Sequence, residues 1–223
     1  MSDFATARRM MVEGQLRPND VTDPRILGAM LETPREGFLP PAKAPLAYLD
    51  LDLPILEGPD GRPRRRMLKP MLLGKMMQIA GLRETDTVLY VGCGTGYSSA
   101  VIAQLARVVV ALEEEATLAL AAKESLYALG ITNVSVETAP LAGGYAARAP
   151  YDVIFLQGAT EVEPQALFAQ LRDGGRLVCV RDRGAPGTVV LYRRAGDDVS
   201  GWPSFDASAS VLPGFSAAPA FVF

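Results

Sequence analysis

The sequence predicts one α/β domain built on a doubly wound, mostly parallel sheet. Three observations lead there: short apolar strands alternate with helical stretches from about residue 87, a glycine-rich turn follows the first of these strands directly, and an acid ends the second. The length agrees, because 223 residues can bury a substantial core as one such domain.

Residues 87–91 (Thr-Val-Leu-Tyr-Val) form the first apolar strand, residues 97–106 a helix, and residues 108–112 a second strand ending at Glu113. A longer helix runs to about Leu129, with Leu118, Ala122, Ser125 and Leu129 along one face and Gly130 beyond its end. Residues 134–136, 153–156 and 177–180 supply three more strands, and residues 163–171, with Pro164 near their start, a helical crossover. Strands with no polar face imply a parallel sheet covered on both sides. After Asp182 the pattern changes: residues 184–187 are a turn, and residues 189–192 pair as an antiparallel neighbour.

The first seventy residues read as helical and irregular. Thr22 or Asp23 caps a helix with Pro24 at its first position and Ile26, Leu27, Met30 and Leu31 on one face, before Pro34 and the Pro40-Pro41 pair break the chain. Residues 57–66 are read as an exposed loop rich in Gly, Pro and Arg. Pro70 opens a helix in which Leu72, Leu73, Met76, Met77 and Ala80 keep helical spacing until Gly81 stops it. The tail, residues 202–223, is broken by Pro203, Pro213 and Pro219. It is expected to pack, because Phe205, Leu212, Phe215 and Phe221 are costly to leave in water.

Composition excludes several chemistries. There is no histidine, which rules out Ser-His-Asp and Cys-His catalysis and histidine-ligated metals, and two cysteines cannot build a four-thiolate zinc site. No metal is expected. The formal net charge of −3 gives no global pull toward nucleic acid. No apolar run reaches membrane-spanning length, Asp3, Arg8, Arg9 and Glu13 deny the start a signal-peptide core, and Cys93 and Cys179 suit a reducing, cytoplasmic home.

Function concentrates at Gly92-Cys93-Gly94-Thr95-Gly96. Glycines at 92, 94 and 96 let the loop turn sharply and a ligand approach the backbone. A dinucleotide fingerprint would place its last glycine where Tyr97 stands, so a nicotinamide-binding module is the runner-up; the spacing G-x-G-x-G is the one used for S-adenosylmethionine. Glu113, at the end of the next strand, is placed to accept hydrogen bonds from the ribose hydroxyls. Glu114 and Glu115 read as solvated charges in the first turn of a helix, Cys93 as a small packed residue and Cys179 as core.

Beyond the loop, Met11-Val12-Glu13-Gly14-Gln15-Leu16-Arg17, Asp23-Pro24-Arg25-Ile26-Leu27-Gly28-Ala29-Met30, Pro34-Arg35-Glu36-Gly37-Phe38-Leu39-Pro40, Ala47-Tyr48-Leu49-Asp50 and Leu53-Pro54-Ile55 occur in that order. Tyr151-Asp152-Val153-Ile154 and Asp173-Gly174-Gly175-Arg176-Leu177-Val178 follow. Across nearly its whole length the chain resembles the protein-L-isoaspartate O-methyltransferases, whose fold is Rossmann-like. The resemblance implies methyl transfer from S-adenosylmethionine to the carboxylate of an isoaspartyl residue in a damaged protein or peptide. A carboxylate is already ionised at neutral pH, so no strong base is needed, and most of the barrier lowering comes from alignment. The resemblance divides residues 1–223 into a helical, substrate-side region over 1–80, a cofactor-binding core over 81–195 and a packed tail over 196–223. It adds Cys93, Thr95, Tyr97 and Leu141 to the glycines and Glu113 as cofactor-side residues.

Two departures stand out. The family carries a Thr-Ile-Ser-Gln-Pro-like segment whose serine is its presumed catalytic residue; the aligned stretch is Arg66-Met67-Leu68-Lys69-Pro70, with Leu68 at the serine position and Lys69 as a substitute donor. The family's Gly-Asp-Gly after the third strand, whose acid faces the adenine amine, is replaced by Ala139-Pro140-Leu141, a loss of about 1 kcal/mol of affinity. Two alternatives follow from Leu68: a divergent member with another acceptor, and a cofactor-binding protein with little turnover. Arg62, Arg64, Arg65 and Arg66 read as a solvated run, with recruitment of an anionic acceptor as the second reading. Met67, Met71, Met76 and Met77 read as adaptable core packing.

Overall fold

In the computed structural model, which describes residues 3–182, 184 and 186–218, the sheet has seven strands. Pro219 and Phe221 of the tail, and Ala185 of the 184–187 turn, lie outside the described residues.

The strands follow from apolar runs that both faces of the sheet bury. β3 (Thr87–Val91), β4 (Val108–Glu113), β5 (Val134–Thr138), β6 (Tyr151–Thr160) and β7 (Leu171–Arg181) are parallel; β8 (Thr188–Ala195) and β9 (Asp198–Asp206) complete an antiparallel meander. The order is β5-β4-β3-β6-β7-β8-β9. The chain therefore leaves β3 toward one edge and returns on its other side at β6, which opens a crevice at the carboxyl ends of these two strands.

Successive residues of each strand point into different cores. Val88, Tyr90, Val109, Ala111, Val153 and Phe155 face a layer of helices, α1 (Phe4–Met11), α2 (Pro24–Glu32), α3 (Pro70–Ala80), α4 (Tyr97–Ala103) and α5 (Ala116–Ala128). Leu89, Val91, Val110, Leu112, Ile154 and Leu156 face a thinner layer that includes Leu141, Leu167, Phe168, Leu212 and Phe215. The predicted 163–171 crossover is helical only over α6 (Gln165–Phe168), because β7 begins at Leu171. The stripe of α5 is Leu118, Ala119, Ala122 and Leu126, with Leu129 past the helix end and exposed. The tail packs through Leu212 and Phe215, while residues 202–206 belong to the edge strand β9, where Trp202 is exposed.

The N-terminal layer keeps its predicted signals. Asp23 caps α2 by accepting from Arg25 N at 2.9 Å, with Pro24 at the first position. Gly81, at φ 59°, ends α3. The exposed loop expected over 57–66 is instead a hairpin: β1 (Leu53–Glu57) pairs antiparallel with β2 (Pro63–Met67), and only its turn is open. Alternation explains the correction, since Leu53 and Ile55 point inward on one strand and Arg65 and Met67 on the other.

A buried ion pair ties these layers together. Asp86, just before β3, accepts from Arg176 Nη2 of β7 at 2.5 Å and from Arg83 N at 3.0 Å; Arg176 also donates to Gly81 O at 3.1 Å. Removing one partner strands the other charge, so Asp86→Ala should destabilise the fold by about 3–5 kcal/mol, read as a lower urea midpoint at unchanged slope.

Candidate cofactor and acceptor site

The three glycines of the loop are required by the backbone. Gly92, Gly94 and Gly96 have φ of 81°, 58° and 96°, in the left-handed region that side-chain-bearing residues avoid. Gly92 N and Cys93 N donate to Leu112 O at 2.8 and 3.0 Å, which folds the loop back over the end of β4. Gly96 has a packing role too: a Cβ there would lie 3.2 Å from Ala122 Cβ on α5.

Glu113 sits where β4 meets this loop and is completely buried. Its Oε2 accepts from Gly94 N at 2.7 Å, and its Oε1 from Glu114 N and Glu115 N at 3.0 and 3.2 Å. Arg65 Nη1 also donates to Oε1, forming an ion pair in which Arg65 is only 3% exposed. Arg65 is thus the second correction to the arginine run: it is a buried partner of the loop acid. Arg62 stays exposed, and Arg64 bonds Glu115 at 3.0 Å near the surface.

The other predicted residues divide into two groups. Thr95 Oγ1 donates to Phe38 O at 2.6 Å, and the Tyr97 ring lies edge-on to Phe38 with the Arg35 guanidinium 4.7 Å above it, so both side chains serve the N-terminal layer. Leu141 is buried in the second core. Burial and the nearby Glu113 push the Cys93 thiol up, and burial pushes Cys179 up to about 12, so neither is a ready nucleophile.

Leu68 is buried beside the crevice. Its carbonyl accepts from Arg35 Nη2 at 2.7 Å, and Arg35 Nε donates to Ala47 O at 2.8 Å, which fixes the entry to α3 from within the core. Burial lowers the Arg35 pKa, with Tyr97 opposing that shift. Lys69 N donates to Asp52 Oδ1 at 2.7 Å, and Arg66 Nη1 to Asp52 O at 3.2 Å. Asp52 and Gln157 are site neighbours that sequence reasoning missed. Gln157, at the carboxyl end of β6, accepts from Ser98 Oγ at 3.0 Å, and its Nε2 is 3.1 Å from where a Cβ on Gly94 would stand. A polar residue at a strand end facing the crevice was the available signal for Gln157.

Asp52, Arg64, Arg65, Arg66, Leu68 and Gln157 line a cleft of only about 10 Å³. A cavity of about 980 Å³ lies elsewhere, over β7–β9 near Phe168 and Tyr192, and is lined by none of the predicted site residues. The glycine backbone and Glu113 suit an adenosyl group, whereas Arg65 and Ile55 fill the space against them: a Cβ on Gly92 would stand 2.9 Å from Arg65 Nη2, and one on Gly94 2.5 Å from Ile55 Cδ1.

A parallel sheet with this turn and this acid at its switch point is the frame of the Rossmann-like methyltransferases. The family model for protein-L-isoaspartate(D-aspartate) O-methyltransferase matches residues 7–202. The protein-L-isoaspartate O-methyltransferase of Koribacter versatilis is 39% identical over 192 residues, covering 86% of this chain and 83% of the relative. That of Methylorubrum extorquens is 40% identical over 198 residues, covering 88% and 83%. A solved protein-L-isoaspartate O-methyltransferase superposes with a TM-score of 0.80 at 26% identity; the match covers 93% of this chain and 66% of that longer one. A Plasmodium falciparum structure in complex with S-adenosyl-L-homocysteine, 16% identical, shares the fold with a TM-score of 0.76 over 92% of this chain and 97% of its own. The chain belongs to the protein-L-isoaspartate O-methyltransferase family.

The site also implies a pH dependence. Burial raises the Asp52 pKa, against the pull of Lys69 and Arg66. The folded state then holds this proton more tightly than the unfolded state, so the contribution to stability falls as pH rises from the ordinary carboxylate range through the raised value. Asp52→Asn keeps an acceptor for Lys69 N and removes the charge. Its stability relative to the parent should grow across that window, as followed by denaturant midpoints at stepped pH.

Proposed function

We propose that this chain uses S-adenosylmethionine to methylate the carboxylate of isoaspartyl residues in damaged proteins or peptides. The observation that carries the reading is the left-handed Gly92/Gly94/Gly96 turn joined by hydrogen bond to Glu113 in the crevice between β3 and β6. When bound, the group supplies a methyl carried on a sulfonium. The backbone of residues 92–96 would hold it, Glu113 would accept from the ribose hydroxyls, and Tyr97 and Leu141 would be further cofactor-side residues. The acceptor carboxylate lies at the mouth formed by Leu68, Lys69 and Gln157, with Lys69, Arg64 and Arg66 attracting its charge. No residue takes a proton, which agrees with a site without histidine. In this reading the region up to residue 80 is the acceptor side and residues 81–195 the core that holds the cofactor; beyond it, residues 198–206 add the edge strand β9, and Leu212 and Phe215 pack against the second core.

The partner is a damaged protein or peptide, not a nucleic acid. No helix among the described residues is long and apolar enough to cross a membrane, and Cys93 and Cys179 are free, which suits a reducing cytoplasm. The second reading, a member with another acceptor or little turnover, draws on Leu68, whose buried apolar side chain stands at the mouth.

Isoaspartyl and normal aspartyl peptides, assayed with labelled donor and base-labile ester as readout, test the reading. Ester on the isoaspartyl peptide alone is expected; none above background, in protein that binds S-adenosylhomocysteine, favours the second reading. A missing donor to the reacting group costs about 10²–10³ in rate. Leu68→Ser is therefore expected to raise isoaspartyl activity at least several-fold and Lys69→Ala to lower it; no gain from the serine removes the missing hydroxyl as the cause of slow turnover.

A further inference from the structure

Arg65 does more than line the acceptor mouth. The Glu113 carboxylate accepts four donors, three of them backbone amides fixed by the loop and the start of α5. The fourth, Arg65 Nη1, comes from β2, a strand of the hairpin that lies across the glycine turn. Arg65 Nη2 reaches the turn at Gly92 and has no hydrogen-bond partner although it is buried. On the same hairpin, Ile55 covers Gly94. The backbone that would cradle the cofactor and the acid that would hold its ribose are both occupied by side chains of one hairpin.

From this geometry we infer that the β1–β2 hairpin is a gate on the cofactor site, with Arg65 as its latch on Glu113. The inference rests on the cofactor reading above and adds a regulatory step to it. An ion pair stripped of water and left with an orphan N–H gains little over its solvated state, so the latch yields to a ligand that offers Glu113 new donors. The hairpin is built to move as a unit. Its base, Leu53 opposite Met67, is buried in the core, while its turn, closed by Gly58 N to Arg62 O at 2.8 Å and Gly61 N to Gly58 O at 3.0 Å, is exposed. Swinging about that base withdraws Ile55 and Arg65 together and parts the surface pair Arg64–Glu115. Competition of this kind reduces apparent affinity by the fraction of molecules in which the latch is open.

The test is calorimetric titration of the full chain with S-adenosylhomocysteine, comparing the parent with Arg65→Ala and Arg65→Gln after circular dichroism shows both folded. The gate predicts tighter binding in both variants, by about tenfold if roughly a tenth of the parent is open. Equal or weaker binding in folded variants, with the parent binding, overturns the gate and leaves the cofactor reading standing. Absence of binding in parent and variants alike overturns the cofactor reading and the gate with it. If the variants do not fold, hydrogen exchange of the parent decides. Amide protection over residues 53–67 should change when S-adenosylhomocysteine saturates the protein, and protection that stays the same overturns the gate.

Discussion

The Glu113 carboxylate is removed from water, and the parts of the chain that meet at the site are arranged around satisfying it. Gly94 brings the turn, the amides of Glu114 and Glu115 bring the start of α5, and Arg65 brings the hairpin. A buried acid with fewer donors would cost several kcal/mol. The left-handed glycines matter for the same reason: they let the turn curl far enough for Gly94 N to reach the carboxylate. The N-terminal layer is fixed by a parallel device, since Arg35 holds the carbonyls of Ala47 and Leu68 from within the core and sets where β2 passes into α3.

The parallel core was legible because its strands are buried on both faces and read as apolar runs bounded by turns. β3 falls on the predicted residues, and β4 and β5 extend theirs only slightly. The glycine turn and Glu113 were legible because a strand, a tight turn, a helix and a terminal acid constrain one another. The hairpin was not. Three successive arginines look solvated in any composition-based reading, and only the inward alternation of Leu53, Ile55, Arg65 and Met67 with the Asp60-Gly61 turn signals a paired strand. Charge concealed period. β9 was missed for a related reason, since Gly201, Trp202 and Pro203 interrupt its alternation and, among the described residues, it has a neighbour on one side only. Gln157 and Asp52 join the site from distant stretches: only its place at a strand end marks Gln157, and nothing local marks Asp52.

One of the two departures, Leu68, falls where the hairpin meets α3. Leu68 and Lys69 join the hairpin to α3, Arg65 and Arg66 lie beside them on β2, and Asp52, the residue before β1, bonds to Arg66 and Lys69. Cations and one half-buried acid there surround the buried side chain of Leu68. Behind it stands the glycine turn, joined to Glu113 through Gly94 N.

The meander that ends the sheet has a bearing on association. β9 offers its outer main chain to any strand that approaches, and an open edge of nine residues invites copies of the chain to pair side by side. Pro203 has no N–H to give, so an incoming ladder is broken in mid-strand, and carboxylates at both ends, Asp198 and Asp206, repel a like-charged copy laid antiparallel against them. The same Trp202-Pro203 step that hid the strand from a reading by alternation thus guards the sheet against growing beyond its seventh member.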